Sequence, residues 1–183
     1  PPPAAAQEKT GRCARIRRLM KAVQAYIALG GNLDDPASRV SAGFAALAAL
    51  PKSRLTAQSA LYRSAPVGYA DQPDFINAAA ALETGLRPRE LLEALLAIER
   101  SHGRVRDFPN APRTLDLDLL LYGGLQLHED GLTIPHPRMH ERAFVLAPLA
   151  AIAPQCVIPG RGRVADLLRA VDIGDVKQLA AAV

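Results

Sequence analysis

Two aspartates alternate with leucines in the segment 111–122, which reads APRTLDLDLLLY. Side chains along a strand point alternately to opposite faces, so Asp116 and Asp118 share one face and the leucines at 115, 117, 119 and 121 share the other. Two like charges at this spacing repel each other and lose hydration among leucines, unless a cation lies between them. Because Mg²⁺ prefers oxygen ligands and commonly shares its coordination with substrate phosphates, the pattern predicts a magnesium site. The alternative is an edge strand whose polar face meets water.

Basic residues bracket the aspartate pair on both sides. Arg113 lies just upstream, and its planar guanidinium group suits a phosphate. The other members of this group are Arg104, Arg106, His136, Arg138 and Arg142. Each alone is typical of a solvated surface, but together around a metal-type pair they favour a polyphosphate with its magnesium. The sequence has no Gly-x-x-x-x-Gly-Lys-Ser/Thr motif, so a P-loop would not hold these phosphates.

A third group of residues is suited to a flat heterocycle. The Asn77 side chain offers both a hydrogen-bond donor and an acceptor. Phe75 and Phe144 offer ring faces in a chain with only 4% aromatic residues. From the residues alone, ordinary core packing explains the two phenylalanines equally well, so both interpretations remain open.

Composition and charge limit the classes of function. The chain has 183 residues and is 49% hydrophobic, which suits one domain with a substantial core. Residues 1–21 contain six basic residues and one acidic residue, so this segment carries +5, against a total of +4, and the remainder carries −1. We predict a disordered basic extension over 1–21 and a single folded domain over 22–183. That domain is not basic enough to indicate nucleic-acid binding.

Cysteine usage and hydropathy bear on location. Cys13 and Cys156 are far apart and cannot form a disulfide framework, which fits a reducing compartment. No apolar run approaches the length that spans a bilayer, and no apolar segment follows the N-terminal basic residues as in a secretory signal. These features predict a cytoplasmic protein without a membrane partner.

Apolar periodicity and helix-breaking residues predict the elements that position these side chains. Strands are expected over 23–29, 55–63 and 75–82 and in the aspartate segment, which a short hairpin ending near residue 134 follows. Helices are expected over 36–50, from residue 88 to before residue 103, and over 139–150. The order strand, helix, strand, strand, helix, strand indicates an α+β protein with a ferredoxin-like βαββαβ core. We expect a mainly antiparallel four-stranded sheet with helices on one face, plus a C-terminal hairpin and helix extension.

Several short motifs occur together in the order found in a known family. They are AYIALGGNL (25–33), YRS (62–64), DQPDFINA (71–78), GRVR (103–106), PRTLDLD (112–118) and IPHP (134–137), with Arg142 and Phe144. Over about residues 24–160 the chain resembles the 6-hydroxymethyl-7,8-dihydropterin pyrophosphokinase family, and PRTLDLD is the most distinctive motif. The resemblance implies an ATP-dependent diphosphotransferase of folate biosynthesis. Such an enzyme moves the terminal diphosphate of ATP to the hydroxymethyl group of a reduced pterin and releases AMP.

The resemblance also implies roles for individual residues. Asp116 and Asp118 are expected to bind two Mg²⁺ ions that accompany ATP and to form the catalytic group with Arg104 and Arg113. Contacts to ATP and its phosphates are expected from Leu92, Glu99, Arg104, Arg106, Arg113, Thr133, His136 and Arg142. The pterin pocket is expected to comprise Ser64, Val67, Phe75, Asn77 and Phe144. We further expect Asp118, or a metal bound through it, to assist deprotonation of the pterin hydroxyl group.

One departure from the family pattern changes these expectations. The segment 107–111 is shorter than in the family's best-known members and lacks their Arg-Trp pair, so we predict that Arg104 and Arg106 make more of the phosphate contacts.

Two rival classes of function remain. A nucleic-acid-binding ferredoxin-like module would need an aromatic run on its strands, which this sequence lacks. A catalytically silent pterin-binding domain is disfavoured because Asp116, Asp118, Arg113 and His136 are all present. We therefore expect a protein that acts on ATP and a pterin, without nucleic acid. We also expect a monomer.

Overall fold

The computed structural model of the chain describes residues 22–68, 71–104 and 111–180. Three of the expectations above concern residues outside these ranges: the disordered extension 1–21, the phosphate contact expected from Arg106, and the shortened segment 107–111, of which residues 107–110 are not described. Every strand and helix predicted for the core falls within the described ranges.

The described part of the chain contains ten strands and four α-helices. The strands are β1 (Val23–Gly31), β2 (Ser53–Gln58), β3 (Tyr62–Ser64), β4 (Phe75–Thr84), β5 (Asp116–Tyr122), β6 (Leu127–Glu129), β7 (Leu132–Ile134), β8 (Val157–Ile158), β9 (Gly162–Arg163) and β10 (Lys177–Gln178). The helices are α1 (Pro36–Ala48), α2 (Pro88–Ser101), α3 (Ala143–Ile152) and α4 (Val164–Ala170). Within these ranges, none of the helices combines the length and the apolar character needed to cross a membrane.

The central sheet is built around β1, which pairs antiparallel with β4 on one side and with β5 on the other. Strands β2 and β3 both pair with β4, and β10 extends the sheet beyond β3. If β2 and β3 are counted as one interrupted strand, the order of the core strands is that of a ferredoxin-like fold. The predicted fold class is confirmed, whereas the pairing of β10 with β3 was not predicted.

The predicted strand 55–63 is wrong as a single element, because residues 59–61 interrupt it. The Ser59 hydroxyl oxygen accepts a hydrogen bond from the backbone N–H of Ala79 at 2.9 Å and donates to the Ala60 carbonyl oxygen at 2.7 Å. The backbone N–H of Ser59 donates to the Ala79 carbonyl oxygen at 2.9 Å. Ser59 therefore replaces part of the strand ladder, and β3 resumes the pairing further along β4.

Two apolar clusters lie on opposite faces of the sheet. The first packs α1 and α2 against alternate residues of the central strands, including Ala25, Ile27 and Leu29 of β1. The second packs α3 and α4 against the other face, through residues that include Ala79 and Leu120. The two predicted core helices thus share one face, and the C-terminal extension covers part of the opposite face.

A β-bulge in β5 alters the predicted alternation of leucines. Tyr26 pairs with Leu121 and Ile27 pairs with Leu119, so Leu120 is an extra residue between two regular pairs. Leu120 and Leu121 both join the second cluster, whereas Leu119 joins the first. The prediction that Leu121 shares the face of Leu119 is therefore wrong. The alternation over residues 115–119, which sets the direction of the aspartates, is retained.

The third predicted helix, 139–150, is divided into two parts. Met139–Glu141 forms a 3₁₀ turn, and α3 begins only after Arg142, whose backbone is extended with φ −111° and ψ 108°. By contrast, α1 and α2 begin where the sequence predicted, with Pro36 and Pro88 in their first turns.

Candidate active site

The site lies on the sheet face opposite α1 and α2, where small residues of β1 separate two strands that carry polar side chains. Gly30 pairs with Asn77 of β4 on one side and with Asp116 of β5 on the other. Two residues earlier, Ala28 pairs with Asp118. Directly paired residues project from the same face, so the amide and both carboxylates share it. A Cβ atom at Gly30 would lie 3.4 Å from Asn77 Oδ1. Glycine at this position therefore leaves open the space between the polar side chains, and its backbone forms the floor of that space.

A cavity of about 270 Å³ opens above this floor. Nine of the predicted site residues line it: Ser64, Val67, Phe75, Asn77, Arg113, Asp116, Asp118, Arg142 and Phe144. The two aspartates therefore face one common space. The group of residues suited to a heterocycle and the group suited to phosphates meet in this cavity.

Aromatic rings and an oriented amide shape one end of the cavity. Asn77 Nδ2 donates a hydrogen bond to Ser64 Oγ at 2.9 Å, which fixes the orientation of the amide group. The Arg113 guanidinium carbon lies 5.2 Å from the centroid of the Phe75 ring, and that of Arg142 lies 5.7 Å from the centroid of the Phe144 ring. Both rings are half-buried and line the cavity, so ordinary core packing does not fully account for them.

Asp116 is held between two arginines. Arg104 Nη1 lies 2.6 Å from Asp116 Oδ1, and Arg113 Nη1 binds Asp116 Oδ2. Glu99 of α2 lies behind this pair, with Oε2 3.6 Å from Arg104 Nε, and its Oε1 accepts a hydrogen bond from the Leu117 backbone N–H at 2.8 Å. Burial raises the pKa of Glu99. Glu99 and Arg104 line neither of the two cavities described here, so both act on the site through Asp116 and the edge of β5.

Asp118 occupies a desolvated position among other charged groups. Burial, followed by the negative charges of Asp116 and Glu99, raises the pKa of Asp118 to about 7, although Arg104 and Arg142 partly oppose this shift. Within residues 22–68, 71–104 and 111–180, no hydrogen bond or ion pair holds the Asp118 carboxylate. A buried carboxylate of this kind is suited to binding a cation.

A second cleft, of about 790 Å³, lies on the other side of Asp118, which lines both spaces. Three more of the predicted site residues line it: Leu92, Thr133 and His136. Its walls come from α2, β5 and the β6–β7 hairpin. The His136 backbone N–H donates to the Leu120 carbonyl oxygen at 2.9 Å. Burial, and then the charge of Arg142, lowers the pKa of His136, which favours the neutral imidazole.

The oxygen donors fit magnesium if substrate phosphates complete its coordination. Asp116 and Asp118 supply hard carboxylate ligands that face one cavity. Among the residues that the structure describes, no three His, Cys, Asp or Glu side chains converge on a metal position. The remaining ligands of a magnesium ion would therefore come from phosphates and water, as is usual for Mg²⁺ with nucleotides.

Three buried polar atoms near the aspartates have no hydrogen-bond partner in the described ranges. These atoms are Arg104 Nε, Arg113 Nε and Thr114 Oγ1. Buried donors are normally paired, and guanidinium groups pair best with carboxylates and phosphates. Arg113 lines the cavity, so its Nε atom is a donor that an anionic ligand there would use, whereas Arg104 Nε lies beside Glu99 and outside both cavities.

Sequence reasoning missed residues that act through the sheet and its loops. Gly30 and Ala28 form the cavity floor, and Gln72 lines the cavity wall. Asn32 joins Gln72 to the segment that carries Arg113. The first strand was predicted to end at residue 29, whereas Gly30 and Gly31 are the last two residues of β1. A run of small residues on the strand beside the aspartates was the one available signal for the floor.

Comparison with known proteins finds related chains. Residues 26–154 match the family model for 7,8-dihydro-6-hydroxymethylpterin-pyrophosphokinase (HPPK). The 2-amino-4-hydroxy-6-hydroxymethyldihydropteridine pyrophosphokinase of Pseudomonas aeruginosa is 48% identical over 154 residues, which cover 84% of this chain and 95% of that protein. The protein of the same name from Haemophilus influenzae is 44% identical over 147 residues, which cover 80% and 92% of the two chains.

A solved structure has a similar fold. The crystal structure of Plasmodium falciparum HPPK-DHPS with pteroate superposes with a TM-score of 0.68 at 14% sequence identity. The match covers 86% of this chain but 46% of the Plasmodium chain, so the present chain corresponds to about half of that protein. At this level of identity, the likeness shows the fold alone.

Proposed function

The chain belongs to the 7,8-dihydro-6-hydroxymethylpterin-pyrophosphokinase family, and from this premise we propose how its site carries out the reaction. The enzyme transfers diphosphate from ATP to the hydroxymethyl group of 6-hydroxymethyl-7,8-dihydropterin in folate biosynthesis, and releases AMP. A bond forms between the hydroxymethyl oxygen and the β-phosphorus, the bond from that phosphorus to the oxygen bridging to the α-phosphorus breaks, and the hydroxyl proton is released. The protein must align the hydroxyl group with the β-phosphorus and neutralise charge.

The pterin binds in the cavity above Gly30. The bond from Asn77 Nδ2 to Ser64 Oγ fixes the amide orientation, and it leaves the Asn77 Oδ1 atom to accept a hydrogen bond from a ring N–H and the second Nδ2 N–H to donate one. The Ser64 hydroxyl accepts from Asn77 and keeps its own proton for donation to a ring nitrogen or oxygen. The rings of Phe75 and Phe144 face the flat heterocycle. The exposed Val67 side chain adds apolar contact at the cavity rim.

The diphosphate group that is transferred lies beside Asp118, which lines both cavities. Asp116 and Asp118 would hold magnesium there, with two ions accompanying ATP, and the bound metal would supply positive charge to the phosphates. Arg113 and Arg142, which line the pterin cavity, contribute further positive charge. Arg104 keeps the Asp116 carboxylate in place.

The rest of ATP occupies the second cleft. Leu92, Leu117 and Leu119 give this cleft apolar surface that suits an adenine ring. Thr133 and the imidazole of His136 provide polar contacts to ribose or phosphate oxygens. Arg106 remains a predicted phosphate contact from the sequence.

We assign Asp118 to assist removal of the hydroxyl proton, and the observation that carries this assignment is that Asp118 lines both cavities. Steady-state AMP formation by Asp118→Asn at saturating magnesium tests it. We expect kcat to fall by at least about 100-fold, as for loss of a proton-transfer group, while pterin binding measured by fluorescence is retained.

The matched control is Asp166→Asn. Asp166 is an exposed carboxylate of α4 that binds Arg163 and Arg169, and it lines neither cavity. This variant should have wild-type turnover. Near-normal turnover of Asp118→Asn would refute the assigned role.

Cysteine usage supports a cytoplasmic location, which we retain as a proposal, and we further propose that the protein is a monomer. Size-exclusion chromatography with light scattering tests the second directly. A mass of about 19.5 kDa is expected, and twice that mass would contradict it.

A further inference from the structure

Asn32 is a buried polar residue that the proposed mechanism does not use. It is 3% exposed and directly follows β1. Its Nδ2 atom donates to Gln72 Oε1 at 2.9 Å and to the Pro73 carbonyl oxygen at 3.0 Å. Its Oδ1 atom accepts from the Arg113 backbone N–H at 2.9 Å, and its own backbone N–H donates to the Arg113 carbonyl oxygen at 2.9 Å. One amide group thus joins two segments that are distant in sequence.

These two segments belong to different halves of the site. Gln72 lines the pterin cavity as part of the loop between β3 and β4, together with residues 65, 67 and 68 of the same loop. Arg113 lies across the cavity, over the Phe75 ring, and binds Asp116. Asn32 therefore links the loop wall of the pterin cavity to the segment that presents the guanidinium and carboxylate groups.

The backbone beside Asn32 is held at close range. A Cβ atom at Gly31 would lie 2.5 Å from the Thr114 carbonyl oxygen, a distance that only a glycine avoids. The backbone at residues 31–32 therefore packs directly against the backbone at residues 113–114. The Asn32 amide cannot move away without breaking its hydrogen bonds to Arg113.

We propose that Asn32 is a positioning residue, which keeps the loop wall of the pterin cavity and Arg113 at a fixed separation so that the two substrates are aligned. This inference rests on the proposed pterin and phosphate subsites. The two ends of the amide have separate tasks: the Nδ2 donors hold the loop, and the Oδ1 acceptor holds Arg113. Substitutions that remove one end or both should therefore change different kinetic parameters.

Two substitutions separate these tasks. Asn32→Asp keeps an acceptor for the Arg113 N–H but loses both donors to the loop, so the KM for the pterin should rise about tenfold while kcat changes less than about threefold. Asn32→Ala loses both ends, so kcat should also fall by about tenfold or more. AMP formation is measured at varied pterin and fixed, saturating MgATP, and then the reverse.

Ser59→Ala is the matched control, because Ser59 is another buried polar residue, 8% exposed, that bonds to the backbone of β4 and lines neither cavity. It should lower the melting temperature, as the Asn32 variants should, but leave the pterin KM unchanged. A change of pterin KM in Ser59→Ala as large as that in Asn32→Asp would mean that general loosening is responsible and would overturn the proposal.

The proposal is also overturned if Asn32→Asp has the wild-type pterin KM, or if its KM for MgATP rises as much as that for the pterin. If Asn32→Ala does not fold, the proposal is tested instead by comparing the pterin KM of Asn32→Asp, Gln72→Ala and the double variant. Both substitutions remove the bond between Asn32 and Gln72, so the rise in pterin KM of the double variant, expressed as a free energy, should be clearly less than the sum of the two single rises. A fully additive rise refutes the link. AMP formation by the wild type in the same assay tests the proposed function separately. If the wild type forms no AMP, the proposed function is refuted, whereas the role of Asn32 is judged from the variants of an active wild type.

Discussion

Replacing Asp118 by asparagine should stabilise the metal-free protein at alkaline pH. Burial and the neighbouring carboxylates raise the pKa of Asp118 from 3.8 to about 7. The folded protein therefore keeps a proton that the unfolded chain has already lost in this range, and its stability falls as the pH rises. This loss is absent below pH 3.8, grows as the pH approaches 7, and is complete above that value. A rise of this size corresponds to up to about 4 kcal/mol of destabilisation.

Asparagine has nearly the same shape as aspartate and carries no charge, so it removes this penalty. Urea unfolding of wild type and Asp118→Asn in the presence of EDTA, between pH 4 and pH 9, measures the effect. The variant should equal wild type near pH 4 and exceed it by about 2–4 kcal/mol at pH 8.5. Added Mg²⁺ should stabilise the wild type more than the variant.

The control again is Asp166→Asn, which should behave in the opposite way. A hydrogen bond from Arg163 lowers the pKa of Asp166, so its ionised form favours the folded state and the variant should lose stability above pH 4. If Asp118→Asn were no more stable than wild type at pH 8.5, or if the difference did not depend on pH, the reasoning about this carboxylate would be refuted.

Three further predictions concern the floor and walls of the site. Asn77→Ala should raise the pterin KM by about tenfold with little change in the KM for MgATP, as measured by steady-state kinetics, and equal changes in both would contradict its place in the pterin pocket. Gly31→Ala should lower stability by about 1–3 kcal/mol in urea unfolding, because the new Cβ would collide with the Thr114 carbonyl oxygen, whereas Gly124→Ala, with no atom near the new Cβ, should be nearly neutral. Arg142→Ala should weaken binding of MgATP by about tenfold in calorimetry, and an unchanged affinity would exclude a phosphate contact.

The sequence was most informative where a rule acts over a few residues. Alternation along a strand placed Asp116 and Asp118 on one face, and the bulge at Leu120 comes too late in β5 to disturb them. Proline in the first turn located α1 and α2. The division of the third helix at Arg142 was missed, because an extended residue between two helical segments leaves no strong mark in composition.

The features that could not be predicted depend on which segments come together in the fold. Gly30 becomes a cavity floor only because it pairs with Asn77 and Asp116, and that register is a property of three strands. The Asn32 bonds cross 40 residues to Gln72 and 81 residues to Arg113. No local pattern carries such information.

The resemblance to a family supplied roles that the residues alone did not. It associated Glu99 with the nucleotide, whereas the structure has this side chain buried behind Asp116, where it satisfies an edge N–H group of β5. Its function in this chain is therefore best tested through the orientation of Asp116.

The central claim is that Asp118 and its neighbour Asp116 hold the metal of the nucleotide beside the pterin hydroxymethyl group. The most direct test is NMR relaxation of the hydroxymethyl protons of bound pterin, caused by Mn²⁺ added with the unreactive analogue α,β-methylene-ATP. In wild type, we predict strong paramagnetic relaxation of these protons. In Asp118→Asn, with pterin binding verified by fluorescence, the relaxation should be greatly reduced. Equal relaxation in the two proteins would contradict the account.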